Sequence, residues 1–125
     1  MHKISIRPQW TISHDGGDTL GPRLIALLSH VEETGSIAAA CQRAGLSYRH
    51  AWDTIRHGEA WFEAPLLQMA RGRGSRLTPL GEKLVWADRR IAARLAPALD
   101  TLASELEVEL QRVIAPPQRL LRIHA

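Results

Sequence analysis

The chain has 125 residues, 45% apolar and 23% charged, which suits one domain with an appended element and is too apolar for a disordered segment. The single cysteine, Cys41, excludes an internal disulfide framework, no apolar run approaches the roughly 18 residues of a membrane span, and the histidines lack metal-ligand spacing. The net charge of +3 is unevenly placed: between residues 36 and 80, Arg43, Arg49, Arg56, Arg71, Arg73 and Arg76 outnumber Asp53, Glu59 and Glu63, which is weak evidence for a polyanionic partner. No charged start followed by an apolar stretch appears, so the reducing cytoplasm is the expected compartment.

Residues 4–12 alternate, with Ile4, Ile6, Trp10 and Ile12 on one side and Ser5, Arg7, Gln9 and Thr11 on the other. This period of two predicts a half-buried strand, placed at a sheet edge by Pro8 and ended by the turn residues 14–18. Leu24, Leu27, Leu28 and Val31 then recur at helical spacing from Pro22 to about Glu33, with Gly35 beyond the end. Ser36 caps a short helix through the alanine run 38–40, stopped by Gly45, and Ser47 caps the next, which reaches about Phe62. After Pro65, the segments 66–69 and 76–78 bracket the loop 70–75, whose glycines suit a hairpin tip, so a β-ribbon is expected there.

From Thr78-Pro79 a long amphipathic helix runs to about Val113, with Leu84, Ile91, Leu95, Leu99, Leu102, Leu106, Leu110 and Val113 recurring in steps of three, four or seven. Pro97 should bend it by removing one hydrogen bond. Its stripe outruns the small domain that precedes it, which favours a second copy as partner over folding back, with Leu84, Ile91, Leu95, Leu99, Leu102 and Leu106 as the contact residues. Pro116 and Pro117 end the helix and leave a short extended tail, with the run 120–124 resembling the opening strand of a further domain. The expected fold is mainly α with a small β-ribbon: a winged helix-turn-helix with its N-terminal strand over 1–78, a dimerisation helix over 79–115, and a tail over 116–125.

A helix-turn-helix needs a small residue where its helices cross, a glycine in the turn and apolar residues locking the second helix. Cys41, Gly45, and Leu46, Ala51 and Ile55 supply these in order. With Gly35-Ser36, Leu46-Ser47, Pro65-Leu66-Leu67, Arg76-Leu77-Thr78-Pro79 and Gly81, the segment from Gly35 to Gly81 resembles the DNA-binding domain of LysR-type transcriptional regulators. The run from Gly45 through Ser47-Tyr48-Arg49-His50-Ala51-Trp52 to Asp53 is closer still to the N-terminal domain of molybdate-responsive ModE regulators. The resemblance implies a homodimeric bacterial regulator of transcription that inserts the second helix of the motif into the major groove of an operator. It also implies an effector sensed only through a C-terminal domain absent from this chain. Gly58, where a large apolar residue is common, and Tyr48, His50 and Trp52, where small or polar ones are, depart from the LysR pattern and keep the operator sequence open.

On the recognition helix, Tyr48, Arg49, Trp52, Asp53 and Arg56 lie opposite Ala51, Ile55 and Phe62 and are the candidate groove readers. Arg49 and Arg56 suit either bidentate pairing with guanine or phosphate contact. Tyr48 suits a phosphate, and Trp52 either a thymine methyl or the core. Asp53 would repel phosphate, so it either accepts from a cytosine amino group or, the favoured reading, bridges to Arg49 or Arg56. Arg71, Arg73 and Arg76 on the glycine-rich ribbon suit phosphate or a narrow minor groove, against the alternative of a solvated loop. Ser36 and Ser47 can offer helix N-termini to phosphate, with capping the simpler role for Ser36. Cys41 reads as a small buried side chain, and His50 and His57, two turns apart, are too distant to chelate one ion. No nucleophile and base stand in a recognisable motif, so neither an enzyme nor a cofactor is expected. The competing class is a winged-helix protein–protein interaction module without direct DNA readout.

Overall fold

The computed structural model describes residues 3–15, 17–69, 72 and 74–114. Their contacts group into two units: Gln9–Arg90, and the segment up to Pro8 together with the chain from Ile91 onward.

In the first unit, β1 (Ile12–Ser13) pairs antiparallel with β2 (Thr19–Leu20) in the register Ile12↔Leu20, the turn between them closed by the Gly17 amide on the His14 carbonyl at 3.1 Å. The strand expected over 4–12 is thereby corrected: only Ile12 enters a ladder. Alternation describes which side chains are wetted, whereas a strand also needs a neighbouring backbone to accept its amides. The burial pattern survives in part, with Ile4, Trp10 and Ile12 half-buried while Ile6 is exposed. Trp10 is held by its indole N–H, which donates to Asp88 Oδ1 at 2.8 Å.

Three helices follow. In α1 (Pro22–Thr34), proline at the first turn sacrifices no internal hydrogen bond, and Gly35 closes the end at φ 73°, its amide on the Val31 carbonyl at 2.7 Å. The helix buries Leu24, Ile25, Leu27, Leu28 and Val31. α2 (Ile37–Ala44) is capped by Ser36, whose hydroxyl accepts from the Ala39 amide at 3.2 Å, and ends at Gly45 with φ 68°. α3 (Tyr48–Phe62) is capped in the same way by Ser47, accepting from the His50 amide at 3.1 Å. Both serines therefore use their hydroxyls on their own helices.

β3 (Leu67–Met69) and β4 (Ser75–Leu77) form the antiparallel ribbon, with Leu67↔Leu77 and Met69↔Ser75 in register. Thr78 then fastens the ribbon to the last helix: its hydroxyl donates to the Pro65 carbonyl at 2.7 Å and accepts from the Gly81 amide at 3.3 Å. α4 (Pro79–Ile114) continues unbroken through Pro97. Its first turns belong to the winged unit, because Leu84 and Val85 are buried in one core with Leu24, Leu27, Leu28, Val31, Ile37, Ala40, Ala51, Ile55, Leu66 and Leu77. Leu84, expected on the dimer stripe, is only 7% exposed and is corrected to a core residue. The unit accordingly extends to Arg90 rather than ending at Thr78, and Arg89 pairs with Glu32 of α1 at 2.6 Å.

In the second unit the Ile4 amide donates to Glu107 Oε1 of α4 at 2.6 Å, and Ala103 is buried. Ile91 and Leu99 are half-buried, and Leu95, Leu102, Leu106, Leu110 and Val113 are exposed. The tail over 116–125 lies outside the described residues.

Candidate nucleic-acid interface

Two positive-φ glycines and two serine caps fix where α3 lies. Gly45 lets the chain reverse within a single turn, and the Leu46 amide closes on the Cys41 carbonyl at 3.0 Å. Cys41 is buried, as a small side chain at the helix crossing must be. α3 then turns Ala51, Ile55 and Gly58 inward. Gly58 has a packing reason: a Cβ there would stand 2.6 Å from Leu24 Cδ2 and 3.0 Å from Leu66 Cδ1, so the large residue common in the LysR pattern has no room here. Ser47, Tyr48, Arg49, Asp53 and Arg56 are exposed and Phe62 is half-buried, as the helical period requires.

Trp52 is half-buried and packs against the core. Its outward ring meets the edge of Tyr48, with centroids 6.3 Å apart and planes at 76°, and the Arg56 guanidinium lies over it at 5.8 Å. Residues 48, 52 and 56 thus form one stack along a single stripe of the helix. The expected bridge from Asp53 to Arg49 or Arg56 is absent among the described residues, where the ion pairs are Arg43–Glu33, Arg89–Glu32 and Arg112–Glu109. Arg56 is engaged by the indole, and an arginine four residues before its acid has the less favourable orientation on a helix. Asp53 therefore stands on the outward face of α3 as an exposed carboxylate without an ion-pair partner among the described residues. Glu59, the other acid of α3, turns to the ribbon instead: its Oε2 accepts from the Leu66 amide at 2.7 Å and fixes the start of the ribbon.

Arg23, which the sequence reading passed over, brings its Nη1 to 3.4 Å from His50 Nε2. The pair borders a hollow of about 280 Å³ between α1 and α3, lined also by Leu20, Gly21, Asp53, Thr54 and His57. A signal was present in the sequence: a cation in the first turn of a helix opposes the helix dipole and so calls for a negative or hydrogen-bonding partner.

The ribbon is keyed to the turn between α1 and α2. The Ser75 amide donates to the Gly35 carbonyl at 3.0 Å, and Gly74 takes φ 84° where a Cβ would come within 2.5 Å of that same oxygen. With Ser75 and Leu77 buried, the alternation of β4 turns Arg76 outward. Arg71 and Arg73 lie outside the described residues. Among the described residues no three His, Cys, Asp or Glu side chains gather to hold a metal ion, and no helix is long and apolar enough to cross a membrane.

A glycine-turned helix pair, an outward cation-bearing second helix and a keyed ribbon beside it define a winged helix-turn-helix domain. Residues 22–82 match the model of the bacterial regulatory helix-turn-helix protein, lysR family. It is 36% identical over 102 residues to the molybdenum-pterin-binding protein MopB of Rhodobacter capsulatus, covering 78% of this chain and 38% of that protein. It is 38% identical over 88 residues to the transcriptional regulator ModE of Yersinia pestis, covering 67% and 34% respectively. The chain thus spans little more than a third of the length of these curated relatives. Among solved structures it is similar to the CbnR DNA-binding domain crystallised with DNA, with a TM-score of 0.55 and 26% identity over 67% of this chain and 95% of that one. The winged fold, the LysR resemblance and its ModE-like branch are accordingly as the sequence indicated. Of these relatives, ModE is named a transcriptional regulator.

Proposed function

We propose that this chain binds double-stranded DNA sequence-specifically, as the DNA-reading part of a homodimeric transcription regulator. The observation that carries the reading is the outward face of α3, where Arg49, Asp53, Arg56 and Tyr48 stand clear of a core that holds the opposite face rigid. A helix of this diameter fits the major groove, where Arg49 and Arg56 match the two acceptors of guanine and Asp53 matches the amino group of cytosine. Tyr48 and the backbone at the Ser47-capped end of α3 face phosphate. The wing adds Arg76, with Arg71 and Arg73 between its two strands in the sequence, and contributes affinity more than choice of sequence.

Pairing of two copies along Ile91, Leu95, Leu99, Leu102 and Leu106 of α4 would present two recognition helices to an inverted repeat, its half-sites spaced by about one helical turn of ~34 Å or a multiple. Such a regulator works in the cytoplasm.

The testing experiment is selection of the purified chain on random duplexes at near-physiological salt, followed by sequencing. Enrichment of an inverted repeat is the expected result. A folded protein that enriches no sequence, and whose weak affinity does not fall with salt, would instead be a winged-helix module that docks protein.

A further inference from the structure

The stack on α3 divides the labour among its residues differently from a row of independent base contacts. Trp52 is half-buried against the core, so its ring is held by packing rather than by solvent-exposed rotamers. The Arg56 guanidinium lies 5.8 Å from the centroid of that ring, and Tyr48, itself 58% exposed, abuts it edge-on at 6.3 Å. An arginine on a helix surface ordinarily samples many rotamers and must surrender them when it pairs with a base. Here the rigid indole removes that freedom beforehand, and among the described residues no acid pairs with the guanidinium: Asp53 makes no ion pair with it and Glu59 is engaged by the Leu66 amide. Guanine recognition demands a planar fork in one orientation, so orientation is the property on which discrimination depends.

We infer that Trp52 is a positioning residue that sets the specificity of the interface: it presents the Arg56 guanidinium, and with it the Tyr48 ring, in a fixed orientation for reading, and does not itself read a base. The inference rests on the DNA-binding reading above and identifies which side chain makes that site selective.

The test is a double-mutant cycle on the full chain with Trp52→Leu, Arg56→Ala and the double variant. Trp52→Phe, which restores a ring face, serves as the rescue. The readout is the ratio of affinity for the selected duplex to affinity for random duplex. Because partial unfolding lowers both affinities alike, this ratio is insensitive to any stability lost with the indole. Trp52→Leu is expected to lower the ratio about tenfold, Arg56→Ala by a similar factor, the double variant by no more than Arg56→Ala alone, and Trp52→Phe by less than about threefold. Multiplying losses in the double variant, an unchanged ratio in Trp52→Leu or Arg56→Ala, or a Trp52→Phe as poor as Trp52→Leu would overturn the positioning role while leaving DNA recognition intact. A wild-type chain that selects no sequence would remove the DNA reading itself, and this inference with it.

Discussion

Gly58 and Asp53 sit five residues apart on α3 and face opposite ways, one into the core and one to solvent. Replacing Gly58 with alanine gains up to about 1 kcal/mol of helix propensity but drives a methyl against Leu24 and Leu66, both essentially fully buried and unable to yield into solvent. A net loss of roughly 1–2 kcal/mol is expected, read as a lower urea midpoint at unchanged slope. An alanine variant as stable as the parent would mean that the Leu24 and Leu66 rotamers repack freely. Asp53→Asn touches no core atom, and its effect belongs to binding. Removing the exposed carboxylate should raise affinity for random duplex about two- to threefold by lifting its repulsion of phosphate, while the preference for the selected sequence falls. If titrations on both duplexes are unchanged, Asp53 points away from the DNA.

Among the elements, the ribbon depends most on one backbone contact. Gly74→Ala forces a side chain into φ 84° and onto the Gly35 carbonyl, neither of which can be relieved by rotating a side chain. The strain, on the order of 1–3 kcal/mol, should appear as faster hydrogen exchange at the Ser75 amide, with affinity reduced by a similar factor on selected and random DNA. A sequence-dependent loss would show that the wing reads bases. Ser47→Ala removes the cap at the N-terminal end of α3 and should cost about 1 kcal/mol of stability in thermal or denaturant unfolding. The caps, the glycine stops and the length of α3 were all legible in the sequence, because each is decided by interactions within a few residues. The strand expected over 4–12 was not realised, because pairing is decided by a distant backbone.

For the molecule as a whole, α4 serves two different ends. Leu84 lies in the winged core and Leu102 is 51% exposed, although the two share one periodic stripe in the sequence. Leu84→Ala should therefore cost 2–5 kcal/mol of folding stability, on the order found for buried leucines, without altering association of the remaining folded chain. Leu102→Lys should leave the winged unit folded and convert the proposed dimer to a monomer in analytical ultracentrifugation, with the preference for an inverted repeat over a single half-site of it lost. A sedimentation coefficient unaffected by Leu102→Lys would remove this stripe of α4 as the proposed dimer contact.

The helix-turn-helix, its caps, the wing's glycines and the outward cations of α3 were determined by the sequence alone, since periodicity and capping are local chemistry that each segment carries with it. Only the tertiary structure decided that Arg56 lies on Trp52 and not beside Asp53, that Arg23 meets His50, that Glu59 turns to the Leu66 amide, and that Leu84 is core. Each of these is a choice among partners equally available along the chain. It is settled by which of them the packed helices bring within reach and which they leave in water.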